Sequence, residues 1–317
     1  MNRIGRVAVI GAGSMGHGIA QLFAQAGFAV RITDARQDSL AAALRQVREN
    51  LKAFVKFGIL SPSEAKAAIS RIEPAETIRR AVQGAGFVTE CVTEQMHIKQ
   101  SVFEELDAHA SANAILASNT SSLNLEKISA KVKHKSRLIV THYFNPPHII
   151  PVVEVIPTAH TNPIVTKKTC SLLSKMGKLP VRLKKAPPGF LVNRIQSAMM
   201  REALSLLDAG VACAEEIDCA VRGTIGFRLA AVGPLAIMDF GGLDVWEKVL
   251  RNVLPGLNNG IEPPEVLRRK VKKGHLGVKS GRGFYSWGGG SGASRSSAAL
   301  RKRDEAYLHL LKLFYMQ

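Results

Sequence analysis

A histidine and a glutamate stand out because each lies in an otherwise apolar segment. His142 closes the run 138–142, and Glu154 interrupts the run 152–156. A carboxylate inside a buried strand is costly unless it is paired. Pairing with an imidazole would fix the tautomer of the ring and stabilise the imidazolium formed on proton uptake. We therefore predict that His142 is a base and Glu154 its partner; alternatively, His142 caps a strand and Glu154 meets an arginine at a domain junction.

A glycine-rich loop is the second chemical signal. The loop Gly11-Ala12-Gly13-Ser14-Met15-Gly16 follows the apolar run 6–10 and precedes a helical pattern. In a strand-turn-helix unit, Gly11 would permit the tight turn and Gly13 would let the backbone approach a pyrophosphate. Gly16 would let the helix pack closely on the strand, with its N-terminus aimed at the anion. The pattern predicts a dinucleotide-binding loop, although it is also consistent with a turn that binds FAD, S-adenosylmethionine or nothing.

An acidic residue at the end of the second predicted strand indicates which dinucleotide binds. Asp34 lies about 20 residues after the glycine loop, where a carboxylate accepts hydrogen bonds from the adenosine ribose. A carboxylate there repels a 2′-phosphate, so the sequence favours NAD over NADP, despite Arg31 and Arg36 nearby. We predict that Ser14 and Met15 of the loop also contact NAD.

Oxidation of an alcohol by NAD explains why a base is needed. Hydride leaves carbon only as the hydroxyl oxygen becomes a carbonyl, so the hydroxyl proton must be accepted. His142 lies at the carboxyl edge of the predicted sheet, where ligands of such folds bind. The segment 118–122, Ser-Asn-Thr-Ser-Ser, follows another apolar strand at the same edge and could bind the substrate oxygen; by itself it equally fits a helix N-cap.

Strand and helix patterns alternate through the first part of the chain. This alternation predicts an α/β fold, a Rossmann doubly wound parallel sheet. The segment 186–189, Ala-Pro-Pro-Gly, ends the alternation, and helical patterns follow. We predict an NAD-binding domain over 1–186 and a smaller all-helical domain for substrate binding and dimerisation over 187–317. A Gly/Ser-rich linker, 288–293, should lead to an amphipathic helix, 299–314, whose apolar side must dock on something.

The chain is strongly basic. Its 317 residues include 43 Lys plus Arg against 25 Asp plus Glu, a formal charge of +18, which attracts anionic partners. The basic residues are spread along the chain without a recognition motif for nucleic acid. A dinucleotide or a coenzyme A thioester would satisfy the same charge, so we expect no nucleic-acid partner.

Cysteine usage and hydropathy indicate the compartment. The four cysteines form no CxxC pair and no secretory spacing, which favours a reducing compartment and predicts no metal site. No apolar run approaches the ~20 residues of a membrane span, and the first strand starts too early for a leader. We expect a cytoplasmic protein without a membrane partner.

Six motifs, in order, resemble those of the 3-hydroxyacyl-CoA dehydrogenase family, an NAD-dependent family of fatty acid metabolism. The resemblance covers about residues 5 to 287 and is carried by the segments 11–16, 90–94, 118–123, 142–146 with Glu154, 188–194 and 277–285. It implies that His142 is the catalytic base, that Glu154 orients it, and that Ser121 binds the substrate oxygen. It also implies that Asn193 helps to polarise that oxygen, although Asn193 could instead make a purely structural hydrogen bond.

The same resemblance implies further binding residues. Glu94, Lys99 and Asn145 match positions that contact the cofactor, and Lys56 looks like a basic residue near the coenzyme A phosphates. Members of the family are usually homodimers through the helical domain, and the active site is expected between the two domains.

The substrate remains open between related possibilities. The Pro-rich segment 145–151 is closer to the L-gulonate 3-dehydrogenase and lambda-crystallin branch, whereas 226–234 and 239–244 are similar to bacterial hydroxybutyryl-CoA enzymes. We predict oxidation of a short (S)-3-hydroxyacyl-CoA, such as 3-hydroxybutyryl-CoA, to the 3-oxoacyl-CoA. The alternatives are a free 3-hydroxy acid, such as L-gulonate or L-carnitine, and a non-catalytic crystallin-like protein that binds NAD.

Overall fold

The computed structural model describes residues 4–287 and 293–316. Two compact units can be distinguished. Of the described residues, unit 1 contains 4–191 and Tyr307–Tyr315, and unit 2 contains 192–287, 293–306 and Met316. Of the predicted linker 288–293, residues 288–292 lie outside the described residues.

Unit 1 is built on an eight-stranded sheet with the order β3-β2-β1-β4-β5-β6-β7-β8. The strands are β1 (Arg6–Ile10), β2 (Ala29–Thr33), β3 (Ile72–Pro74), β4 (Phe87–Glu90), β5 (Ile115–Ser118), β6 (Leu138–Tyr143), β7 (Val152–Pro157) and β8 (Leu179–Arg182). The helices of this part are α1 (Gly16–Gln25), α2 (Gln37–Lys56), α3 (Pro62–Ser70), α4 (Ile78–Val82), α5 (Met96–His109), α6 (Leu125–Ile128) and α7 (Pro163–Lys175). The predicted α/β Rossmann fold is confirmed.

One strand departs from the predicted parallel arrangement. β7 runs antiparallel to β6, whereas all other neighbouring strands of the sheet are parallel. The reason is the short connection 144–151, because a parallel neighbour requires a crossover of a dozen or more residues, usually through a helix. The antiparallel register places His142 directly opposite Glu154.

Apolar side chains on both faces of the sheet explain why strands such as β1 are buried on both sides. In β1, Val7 and Val9 belong to one buried cluster, whereas Ala8 and Ile10 belong to a second one. Successive side chains of a strand point to opposite faces, so a strand covered on both sides must be apolar throughout. The polar residues that end β4, β5 and β6 therefore lie together at one edge of this sheet.

Unit 2 is helical, as the sequence predicts. Its helices are α8 (Val192–Asp208), α9 (Ala214–Val221), α10 (Phe227–Leu229), α11 (Pro234–Gly241), α12 (Leu243–Val253) and α13 (Glu265–Lys272). Over these described helices no residue is buried, and large apolar side chains such as Phe240, 82% exposed, face outward. No single helix of the described residues is long and apolar enough to cross a membrane. The segments Ala214–Leu229 and Pro234–Gly241, which meet at an angle of 87°, are together long and apolar enough, on length and composition alone.

The predicted domain boundary at 186/187 stays a prediction. Residues up to Leu191 group with unit 1, because the Leu191 amide donates to Glu154 and Phe190 packs against His142. The terminal helix α14 (Ala293–Tyr315) is longer than predicted. Its end, Tyr307–Tyr315, also belongs to unit 1 rather than to the helical part, because its apolar side packs there.

Candidate active site

The predicted pairing of His142 with Glu154 is present. Nδ1 of His142 lies 2.7 Å from Oε2 of Glu154, and both side chains are buried. The rings of Phe144 and Phe190 meet the imidazole edge to face, at centroid distances of 4.6 and 5.6 Å. Oε1 of Glu154 accepts a hydrogen bond of 3.0 Å from the Leu191 amide. Aromatic packing and the carboxylate together hold the imidazole in one orientation.

This arrangement sets the chemistry that the histidine can do. A carboxylate accepts from Nδ1–H, so the neutral ring is the tautomer whose Nε2 carries the free lone pair. Nε2 of His142 is then the atom that can take up a proton, and Glu154 stabilises the imidazolium that results. The geometry is that of a general base with an orienting carboxylate.

The glycine loop has the properties of a dinucleotide cradle. Gly11 has a positive φ of 101°, and a Cβ there would lie 2.7 Å from the carbonyl oxygen of Cys91. A Cβ on Gly16 would overlap the carbonyl oxygen of Gly11, so the helix approaches the strand as closely as glycine allows. A Cβ added to Gly13, in contrast, meets no atom of the described residues within 4 Å. The space beside Gly13 is where a pyrophosphate can approach the backbone.

Asp34 is held in place beside this loop. Its Oδ2 accepts a hydrogen bond of 2.7 Å from the Ala12 amide, and its Oδ1 accepts one of 3.0 Å from the Arg36 amide. The carboxylate is only partly buried, so lone pairs remain for ribose hydroxyls. The residues of the loop and Asp34 therefore fit NAD.

Glu94 ties together the loops that follow β4 and β5. Its Oε1 accepts from the hydroxyl of Thr120 at 2.6 Å and from the amides of Ser121 and Ser122 at 2.9 and 3.2 Å. Burial is the largest effect on the pKa of Glu94 and raises it, but these hydrogen bonds and the charge of Lys99 together lower it below its usual value. Glu94 is thus an ionised anchor for the segment that contains Ser121.

Behind Glu94 lies a buried ion pair. Lys99, on α5 and 1% exposed, places Nζ 2.6 Å from Glu90 and 3.2 Å from Glu94, and it also donates to the Val92 carbonyl. Glu90 is fully buried and accepts from the Ser118 hydroxyl at 2.6 Å. Lys99 therefore holds two carboxylates in position, and its direct contact with the cofactor stays a prediction.

Sequence reasoning missed Glu90 and Asn119. Glu90 carried the same signal as Glu154, because it ends an apolar strand and needs a buried partner. Asn119 carried no distinct signal. Its Oδ1 accepts a hydrogen bond of 2.9 Å from the Tyr143 amide. This bond joins the serine-rich loop, residues 118–122, to the strand that carries His142. This bond places the loop of Ser121 beside the end of β6.

Two protein-family models together match most of the chain. Residues 6–186 match the NAD-binding domain of 3-hydroxyacyl-CoA dehydrogenase, and residues 189–287 match its C-terminal domain. The chain belongs to the 3-hydroxyacyl-CoA dehydrogenase family. It is an NAD-dependent dehydrogenase, as the sequence motifs predict.

Individual relatives of this dehydrogenase differ in substrate. A probable 3-hydroxybutyryl-CoA dehydrogenase of Bacillus subtilis is 37% identical over 90% of this chain and 98% of its own. A 5-formyl-3-hydroxy-2-methylpyridine 4-carboxylate 5-dehydrogenase of Mesorhizobium japonicum is 33% identical over 90% of this chain and 91% of its own. A crystal structure of a 5-dehydrogenase for that pyridine carboxylate, an NAD⁺-dependent dismutase, superposes with a TM-score of 0.91 at 31% identity, over 98% of this chain and 99% of its own.

The remaining predicted site residues of the dehydrogenase lie in separate elements of the fold. Asn145 is exposed directly after β6, Ser14 is exposed in the glycine loop, and Met15 is partly buried there. Lys56 is the exposed last residue of α2, with Nζ 5.8 Å from the ring centroid of Phe57. Asn193 lies in α8 of unit 2, so its part in the reaction stays a prediction.

Proposed function

We propose that this dehydrogenase oxidises the hydroxyl at carbon 3 of a short (S)-3-hydroxyacyl-CoA, such as 3-hydroxybutyryl-CoA, to the 3-oxoacyl-CoA. The observation that carries the proposal is the buried pairing of His142 with Glu154 at 2.7 Å, at the sheet edge that also carries the serine-rich loop. Similarity to the Bacillus subtilis enzyme over 98% of that protein supports the thioester substrate.

The residues of the chain would divide the reaction as follows. Nε2 of His142 takes the hydroxyl proton, while Glu154 holds the ring and balances the charge of the imidazolium. NAD, when bound, would accept a hydride from carbon 3, so that together with the proton taken by His142 the substrate loses two electrons and two protons and becomes a ketone. Ser121 turns its hydroxyl from Glu94, 3.3 Å away, to donate a hydrogen bond to the oxygen as it becomes a carbonyl, and the family resemblance gives Asn193 the same role.

Binding residues follow the same division. Asp34 accepts from the adenosine ribose, while the glycine loop, Glu94 and Asn145 bind the rest of NAD. Lys56 attracts the phosphates of coenzyme A, since it is an exposed cation at the end of α2. Replacement of Lys56 by Ala should raise the Michaelis constant for a thioester and leave that for a free acid nearly unchanged.

A spectrophotometric assay of NADH tests the substrate class. NADH is offered with acetoacetyl-CoA, and NAD is offered separately with L-gulonate and with L-carnitine. Rapid loss of NADH absorbance with acetoacetyl-CoA is the expected result. Activity with a free acid alone would overturn the thioester and keep the mechanism, whereas inactivity on all three would contradict the proposed substrates.

A free carboxylate is the second candidate substrate. The observation that favours it is the TM-score of 0.91 with a dehydrogenase of a pyridine carboxylate, over 98% of this chain. A small carboxylate would use the same base and the same NAD site, but it would not need Lys56. The formyl pyridine carboxylate of that relative therefore joins L-gulonate and L-carnitine in the assay.

We further propose that the enzyme is a homodimer through unit 2. Large apolar side chains are exposed on its helices and on the loop before α13: Ile195, Phe227, Leu235, Phe240, Leu243 and Ile261. Extended apolar surfaces of this kind mark interaction sites in soluble proteins. Light scattering coupled to size exclusion should give twice the chain mass of 34.2 kDa; a monomer at micromolar concentration would contradict the proposal.

A further inference from the structure

The end of the terminal helix docks on the cofactor-binding unit although both family matches stop before it. The matches end at residue 287, and the docked segment is Tyr307–Tyr315. Leu308 of this segment is 1% exposed and forms a buried cluster with Phe54 and Ile149. Burial of an apolar side chain to this extent stabilises the folded chain, so the contact is a specific part of the fold.

Polar contacts fix the same segment at the end of α2. Nζ of Lys312 donates a hydrogen bond of 2.9 Å to the carbonyl oxygen of Phe57, the residue that caps this helix. A cation at a helix C-terminus interacts favourably with the helix dipole. The ring of His309 meets the ring of Phe57 edge to face at 4.9 Å. The segment thus has a defined orientation on unit 1.

Ile149, which shares this cluster with Leu308, belongs to the connection 144–151 between β6, which carries His142, and β7, which carries Glu154. Within it, the amides of Ile149 and Ile150 both donate to the Pro146 carbonyl at 3.0 Å. Nζ of the buried Lys178 donates to the carbonyls of Pro147 and Ile150 at 2.9 and 2.8 Å. The connection is therefore held by its own backbone and by Lys178, and Ile149 joins it to the cluster that contains Leu308.

The same connection packs against the helix of the glycine loop. A Cβ on Gly18 would lie 2.7 Å from Cγ of Pro147 and 2.9 Å from Nδ1 of His148. Gly18 lies in α1, which begins at Gly16. A displacement of the connection must therefore displace the helix whose N-terminus faces the pyrophosphate, because close-packed groups transmit strain.

We propose that Leu308 is a positioning residue for the NAD site. By packing in one cluster with Phe54 and Ile149 it holds the connection 144–151 against α1, and it thereby keeps Asn145 and the glycine loop in the geometry that binds the dinucleotide. Removal of the side chain leaves a cavity into which the connection can relax. The proposal concerns NAD binding alone, so it does not depend on which substrate the enzyme oxidises.

The test is a titration of the full-length protein with NADH, in which binding is measured by the fluorescence of NADH. Leu308→Ala should weaken NADH binding by about three- to tenfold, within the range seen for mutations that act through packed networks. Leu308→Met conserves volume and should retain the wild-type dissociation constant. Leu310→Ala is the matched control, because Leu310 lies on the same helix but is 46% exposed. All titrations are made well below the melting temperature of each variant.

A purely structural role for the segment predicts a different result. Leu308→Ala would then lower the melting temperature but leave the dissociation constant of NADH unchanged, which would overturn the proposal.

If Leu308→Ala does not fold, hydrogen exchange of the wild-type protein decides. Because coupling is reciprocal, NADH should slow exchange of Tyr307–Tyr315 more than exchange of α7. Equal slowing of both would also overturn the proposal.

Discussion

Glu90 and Lys99 form an ion pair in which neither side chain reaches solvent, with Oε1 of the carboxylate 2.6 Å from Nζ of the lysine. The pair links the end of β4 to α5, and through Glu94 it reaches the loop that contains Ser121. Two charges are buried here so that a polar loop can be held at the edge of the sheet.

Removal of one charge from this pair should be far more damaging than removal of both. Lys99→Met removes the cation that pairs with the fully buried carboxylate of Glu90 and should cost about 3 to 5 kcal/mol in the free energy of unfolding. The double variant Glu90→Gln with Lys99→Met should recover much of that loss. Urea denaturation measures both, and a single variant as stable as the wild type would contradict the ion pair.

The lowered pKa of Glu94 predicts how stability depends on pH. A carboxylate whose pKa is lower in the folded state stabilises the protein above its unfolded value of 4.5, and this contribution is lost as the pH falls through the lower folded value. Wild type should therefore be more stable than Glu94→Gln at neutral pH, and the difference should shrink below about pH 4.5. Denaturation of both proteins from pH 3 to 7 checks this; a difference independent of pH would contradict it.

Lys178 should make stability depend on pH above neutrality, whereas Glu94 does so in acid. Burial lowers its pKa from 10.5 to about 7. Between these values the unfolded chain binds more protons than the folded one, so stability rises with pH relative to a variant that does not titrate. The stability of wild type minus that of Lys178→Met should increase from pH 7 to 10. Paired denaturation curves measure it, and a difference that stays constant or falls over that range would show that Lys178 keeps its proton in the folded state.

Two glycines of the same loop should respond differently to alanine. Gly16→Ala places a Cβ against the carbonyl oxygen of Gly11 and should lower the melting temperature. Gly13→Ala meets open space and should leave the melting temperature unchanged. Because the added methyl occupies the path of the pyrophosphate, Gly13→Ala should nevertheless weaken NADH binding about tenfold or more. Unchanged NADH binding in Gly13→Ala would argue against the assigned cradle.

Much of the fold and part of the site could be predicted from sequence because their signals are local. The strand-turn-helix of Gly11 to Gly16 is contained within a few residues, and the cost of burying a lone carboxylate made Glu154 a candidate partner for His142. The antiparallel β7 was missed, although the shortness of the connection 144–151 was a usable signal.

Other features depend on contacts between distant segments. Leu308 packs on Phe54 and Ile149, more than 150 positions away along the chain, and no spacing rule connects them. Asn119 binds a backbone amide, which any polar residue of that length could do. Such contacts are set by tertiary packing and become visible only in the folded chain.

The most direct test of the central claim is the turnover of His142→Gln. Glutamine keeps a polar group of similar size but cannot accept the hydroxyl proton, so turnover should fall about 10²- to 10⁴-fold. NADH binding by the same variant should match that of the wild type, since the histidine is assigned to proton transfer and not to the dinucleotide. Turnover close to the wild-type rate would contradict the assignment of His142 as the base.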